Sequence, residues 1–157
     1  ITNFANVVKI PEPQLQLVSL NDRVAACKMF METVCRNRNI TLHLTLCDEN
    51  PHVRMDTSLF EQVLVNIIKN AAESIGEEGN IFIRTSVFPT MLEIADTGAG
   101  ISKEVEAKLF SPFFSTKPNG QGIGLIFIRE VLMKHGCTFS LRTYSDGLTR
   151  FRIRFSA

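Results

Sequence analysis

The segment from Asp56 to Gly76 constrains this chain most. Asp56 is a good helix N-cap and Gly76 a good stop, and Thr57 to Ile75 between them contain neither proline nor glycine. Within it lies the apolar run Val63-Leu64-Val65-Asn66-Ile67-Ile68-Lys69-Asn70-Ala71-Ala72. Strands are available to cover it. Ile40, Leu42, Leu44 and Leu46 alternate with Thr41, His43 and Thr45, as in a strand with one face on a core. Ile81 to Phe88 and Met91 to Ala95 read as a hairpin around Pro89 and Thr90, and Thr138 to Thr143 and Leu148 to Phe155 as a second one turning at Ser145, Asp146 and Gly147.

Further helices are expected from Asn21 or Asp22, as N-cap, to about Arg36, and from Ile123 to Lys134, closed by His135 and Gly136. A short one is expected near Lys103 to Leu109. Ile1, Phe4, Val7 and Val8 fall at helical spacing before Pro11 and Pro13, and Gln14 to Leu20 and Val53 to Met55 read as extended pieces. Thr97 to Gln121, rich in Gly, Pro, Ser and Phe, has the length of a lid or binding loop. This order predicts an α+β fold: a two-layer α/β sandwich whose mixed, mostly antiparallel sheet packs on about three helices.

Composition narrows the partners. The chain has 157 residues, enough for one core without disulfides or metal, and no apolar run approaches the ~20 residues of a membrane helix. A net charge of +1 gives no general attraction to nucleic acid or acidic lipid, so neither nucleic acid nor direct membrane contact is expected. Cys27, Cys35, Cys47 and Cys137 lack zinc or redox spacing and read as reduced, packed thiols. His43 falls on the outward side of its strand. His135 sits at a helix C-terminus, where a partly positive ring suits the dipole. The chain begins with Ile and shows no signal peptide, which suggests an excised fragment.

Three groups of residues carry chemistry. Asn66 and Asn70, four apart in the apolar helix, need a ligand, a metal or a buried polar network, and an amide oxygen can hold Mg²⁺ without adding charge beside a phosphate. Asp96-Thr97-Gly98-Ala99-Gly100-Ile101 puts a carboxylate at a strand end before two glycines that allow close backbone approach. Asp96 could accept a hydrogen bond from the exocyclic amine of adenine and reject guanine; alone, the hexapeptide also reads as a turn. Gly120-Gln121-Gly122-Ile123-Gly124-Leu125 opens a helix whose free amides could cradle phosphate; it is neither a P-loop nor a dinucleotide fingerprint.

In this order the pieces resemble the ATP-binding fold shared by sensor histidine kinases, gyrase, a heat-shock chaperone and mismatch-repair ATPases. The N box resembles Gln62 to Ser74, the first G box Asp96 to Ile101, the F box Leu109 to Lys117, and the second G box Gly120 to Leu125. Hydrolytic members carry a glutamate one turn before the metal asparagine; here that position is Asn66, which implies phosphoryl transfer rather than hydrolysis. EQVLVNIIKNAAES and PFFSTK are similar to kinases of the nitrogen-regulation and sporulation type. The resemblance implies that residues 1–19 end a dimerisation and phosphoacceptor helix with its linker, and that residues 20–157 form the ATP-binding kinase domain with a long ATP lid.

The resemblance further implies ATP and Mg²⁺ as cofactors, with Asn70 holding Mg²⁺, Asn66 on the phosphate side and Asp96 reading the adenine amine. Gly98, Gly100 and Ile101 would border the purine, while Gly120, Gly122, Gly124 and Leu125 would face the phosphates. Relatives often carry a basic residue where this chain has Glu73, so Lys69 or, preferably, Lys117 would supply the charge. Phe110, Phe113 and Phe114 read equally as lid anchors or ordinary core. The phosphoacceptor histidine is absent, leaving no catalytic residue of the fragment's own. Implied partners are the protein's own dimerisation domain, as a homodimer, and a response-regulator receiver domain. The implied location is the cytoplasm, with a parent protein that a membrane could anchor. Two other readings compete: a nucleotide-binding switch without transfer, and, from Ile94-Ala95-Asp96-Thr97-Gly98-Ala99, a retroviral-type aspartic protease, which the long helices do not fit.

Overall fold

A computed structural model describes residues 9–110 and 123–156, the side chains of Ile123 and Gly124 excepted. The expected helix at residues 1–8, together with Phe113, Phe114, Lys117, Gly120 and Gly122, lies outside the described residues. The elements are β1 (Gln16–Ser19), α1 (Leu20–Ala26), α2 (Lys28–Arg36), β2 (Ile40–Thr45), β3 (His52–Met55), α3 (Thr57–Ile75), β4 (Gly79–Ser86), β5 (Met91–Asp96), α4 (Lys103–Glu106), α5 (Ile123–Lys134), β6 (Thr138–Thr143) and β7 (Thr149–Arg154). Five strands form one sheet in the order β2-β4-β5-β7-β6. Only β2 and β4 run parallel; the other three pairings are antiparallel. The α+β sandwich read from the sequence is therefore the fold observed.

Alternation decides which face is buried. Ile81 and Ile83 of β4, Leu92 and Ile94 of β5, and Phe151 and Ile153 of β7 all turn one way, into the core made with α1, α2, α3 and α5. From α3 come Phe60, Val63, Leu64, Ile67, Ile68, Ala71 and Ala72, so the helix is covered over a wide arc. Fully burying each large aliphatic side chain contributes about 1.5–3 kcal/mol. Phe110 packs into this core edge-on to Phe139, with ring centroids 5.3 Å apart. All four cysteines are free thiols, three of them buried, as small hydrophobes would be.

The long helix keeps the limits expected of it. Asp56 caps it, its Oδ1 accepting from Leu59 N at 3.0 Å, and Gly76 closes it at φ +79°. Three local expectations are corrected. The first helix is capped by Ser19, whose Oγ accepts from Asp22 N at 3.1 Å, and not by Asn21 or Asp22. Asn21 is occupied elsewhere: its amide donates to Cys47 O at 2.7 Å and its carbonyl accepts from Thr85 Oγ1 at 2.7 Å, tying the helix to the sheet. The segment to Arg36 is two helices, α1 and α2, meeting at Cys27, where ψ opens to 2°.

The third correction concerns His135. Its Nε2 accepts from Asp56 N at 3.0 Å while Nδ1 lies 2.8 Å from Val131 O, so the ring is held neutral, with the proton on Nδ1. It ties the end of α5 to the start of α3 and supplies no charge there. The two extended pieces, β1 and β3, pair antiparallel as a small separate sheet, with Leu17 opposite Arg54.

Candidate functional site

Asp96 is the last residue of β5, the middle strand of the sheet. It shares the parity of Leu92 and Ile94, so its carboxylate turns toward the helical layer, where it is only 5% exposed. One backbone amide meets it: Gly98 N donates to Oδ1 at 2.8 Å. Burial outweighs that hydrogen bond and pushes the carboxyl up to about 6. A carboxylate can accept about four hydrogen bonds, so capacity remains for an N–H donor brought by a ligand.

The loop beyond Asp96 is pressed onto the end of α3. Ala99 N donates to Ser74 O at 3.3 Å, and a Cβ at Gly98 would overlap Ser74 Oγ, the Ser74 carbonyl carbon and Asp96 Oδ1. Only glycine fits there, because backbone lies directly against helix. Gly100 meets a different need, since its φ of +85° falls in the left-handed region. Ile101 N then donates to Thr143 Oγ1 at 2.7 Å, which anchors the loop to the second hairpin.

Ser74 is also the end of a stripe. Asn66, Asn70 and Ser74 follow at intervals of four along α3, so they stand on nearly one face, each about 6 Å further along the axis. Both asparagines are half-buried, whereas Lys69 and Glu73 are exposed. The stripe and the strand-end carboxylate therefore lie on the same side of the molecule, joined where Ser74 touches Gly98. Gly124 and Leu125 occupy the first turn of α5, which packs on α3, and Leu125 is half-buried against the core. Among the described residues no group of three or more His, Cys, Asp or Glu could hold a metal, and no helix is long and apolar enough to cross a membrane.

Sequence reasoning missed three polar residues at this place. Thr149 lies directly opposite Asp96 in the β5–β7 register, 3% exposed, and its hydroxyl is 2.7 Å from that of Thr143. Thr143 N in turn donates to Glu106 Oε2 at 3.2 Å, linking α4 to the same cluster. Ser74 is the third. Thr149 alone left a readable trace, as a polar residue in phase with Phe151 and Ile153 on the core side of an alternating strand.

Comparison with known proteins identifies the family and the fold. Residues 55–157 match the family described as histidine kinase-, DNA gyrase B-, and HSP90-like ATPase. The C4-dicarboxylate transport sensor protein DctS of Rhodobacter capsulatus is 31% identical over 98% of this chain and 24% of its own length. The sensor histidine kinase ZraS of Escherichia coli O157:H7 is 28% identical over 98% of this chain and 34% of its own length. The chain thus spans about a quarter to a third of those relatives. Among solved structures, the nucleotide-free catalytic domain of the histidine kinase ThkA superposes with a TM-score of 0.81 at 28% identity, covering 90% of this chain and 95% of that one. ThkA in complex with the response regulator TrrA matches at a TM-score of 0.74 and 25% identity, over 92% of this chain and 42% of that one. A carboxylate at the end of the middle strand, docked through glycine onto an asparagine-bearing helix, is thus found in a chain that belongs to the histidine kinase-, DNA gyrase B- and HSP90-like ATPase family.

Proposed function

We propose that this chain is the ATP-binding domain of a sensor histidine kinase, which binds Mg-ATP and presents the γ-phosphoryl group to a histidine on a separate domain. The observation that carries the reading is the junction of Ser74 with Gly98, which seats the loop after the buried Asp96 on the end of the helix that bears Asn66 and Asn70. Asp96 accepts the adenine amine, and a guanine carbonyl in its place would face a buried carboxylate with nothing to donate. Gly98, Gly100 and Ile101 border the purine.

Asn70 offers a neutral amide oxygen, which suits a hard cation shared with phosphates, and Asn66 sits one turn further along the same face. When bound, Mg²⁺ would neutralise phosphate charge. Lys69 or Lys117 completes that neutralisation, and the amides of Gly120, Gly122, Gly124 and Leu125 donate to the phosphates. With asparagine rather than a carboxylate at position 66, that turn of α3 offers no general base for water, so the site favours transfer to an external acceptor over hydrolysis. The acceptor belongs to a dimerisation domain of the same protein. The next partner is a response-regulator receiver domain, a reading supported by the matching ThkA–TrrA complex. We place the domain in the cytoplasm.

Melting curves with ATP, ADP and GTP, with and without Mg²⁺, test the nucleotide. Adenine nucleotides at ~100-fold over their dissociation constant should add roughly 2.7 kcal/mol, and GTP nothing. Asn70→Ala should remove only the Mg²⁺-dependent part. Mixing the chain with its phosphoacceptor domain and labelled ATP should yield acid-labile phosphohistidine; its absence would leave a nucleotide-binding switch and end the kinase reading.

A further inference from the structure

The face of the sheet turned away from the helices is rich in arginine around β7. Arg150, Arg152 and Arg154 alternate outward along β7, Arg142 lies opposite Arg150 on β6, and Arg84 stands on β4. Among the described residues two carboxylates answer these five guanidiniums. Glu93, buried in the middle, meets Arg152 Nε at 2.8 Å, Arg84 Nη2 at 3.4 Å and Arg150 Nε at 3.6 Å, while Asp146 in the β6–β7 turn takes Arg150 Nη2 at 2.7 Å. Like charges set directly opposite on paired strands, as Arg142 and Arg150 are, oppose pairing. The arrangement holds a surplus of positive charge on a chain whose net charge is only +1.

Two features say what kind of anion fits. The guanidiniums of Arg150 and Arg152 lie 4.8 and 4.7 Å from the ring centroid of Tyr144, and Glu93 holds both from below. They are oriented before any partner arrives, which lowers the entropy lost on binding. In addition, the outward positions of the sheet hold no lysine, and Phe82 and Met91 lie beside the arginines on the same face. Protein interfaces favour Arg, Tyr, Phe and Met and disfavour Lys, whereas surfaces for phosphate backbones use both cations.

We propose that this open face docks an acidic protein segment in extended conformation. Outward residues on β7 recur about every 7 Å, the repeat of alternate residues in any strand, so carboxylates on every second residue of a partner would meet successive guanidiniums. The residues between would turn away from the sheet, so they can be apolar without disturbing the ion pairs.

The test is fluorescence anisotropy of a labelled peptide alternating Glu and Val, titrated with the chain at about 50 mM salt. Binding should occur, and Arg142→Gln with Arg154→Gln should weaken it by at least about tenfold. Both side chains are exposed, and the melting temperature and its response to ATP should stay as in the parent, showing that the fold is intact. Lys28→Gln with Arg36→Gln, on α2, should leave peptide binding unchanged. Equal weakening by that control pair, tighter binding of a thymidine oligonucleotide of the same charge, or no peptide binding at all would overturn the proposal.

Discussion

Two carboxylates on β5, three residues apart, are buried to nearly the same degree and live opposite lives. Glu93 is 7% exposed and Asp96 5%. Glu93 turns to the open face and is shared among three arginines. Asp96 turns to the helices and receives one amide, that of Gly98. A buried charge shared among three partners belongs to the architecture, and among the described residues Asp96 has less to offset its burial. The inversion of parity along one strand separates the roles.

Removing each charge in turn should break the pair apart. Glu93→Gln strands three guanidiniums, and should cost about 2–4 kcal/mol, below the range for a fully buried pair because Arg84 and Arg152 are over a third exposed. The adenine-dependent rise in melting temperature should survive it; its loss would mean that the two faces are not independent. Asp96→Asn should do the reverse, abolishing the nucleotide response while stabilising the ligand-free chain.

The sign of that gain follows from the raised carboxyl. Asp96 moves from 3.8 to about 6 on burial, so the folded state bears the cost of an ionised buried acid above that value and bears none below 3.8. At about 1.4 kcal/mol per unit, the substitution should gain on the order of 2–3 kcal/mol near pH 7 to 8. The advantage should vanish near pH 4 in melts of both proteins across that range. An unchanged difference across the range would refute the burial argument.

A third acid calibrates the scale. Asp56 is held below the usual carboxylate range by the amides of Gln14 and Leu59, so its contribution is present above the ordinary value and fades as pH falls through the lowered one. Asp56→Ala should cost about 1 kcal/mol, typical of a lost N-cap, with the nucleotide response intact. Denaturant midpoints would show it.

The same logic explains which parts of the molecule were legible in the sequence. The limits of α3 could be read because Asp56 and Gly76 act on their own neighbours. The start of α1 could not. Asn21 and Asp22 are both good caps by identity, yet Asn21 is drawn off by Cys47 and Thr85, far along the chain. The pairing of β1 with β3 was hidden for a related reason: four-residue strands carry too little periodicity to announce a partner.

At the candidate site, Asp96, Gly98 and the asparagines stood out by type and spacing. Ser74, Thr143 and Thr149 acquire meaning only once the loop, helix and second hairpin meet. His135 shows the limit most clearly, since its position at a helix end suggested charge and only the Asp56 amide across the fold fixes it as neutral.

Strand order has a last consequence, for motion. β5 has two strands on its β4 side and two on its β7 side, while β2 and β6 each leave one edge open. Amide protons along β5 should therefore exchange only when the whole domain unfolds, and those of the border strands by local fraying. Asp96 is mounted on the element that is last to loosen, so the rim can breathe while its carboxylate keeps its place.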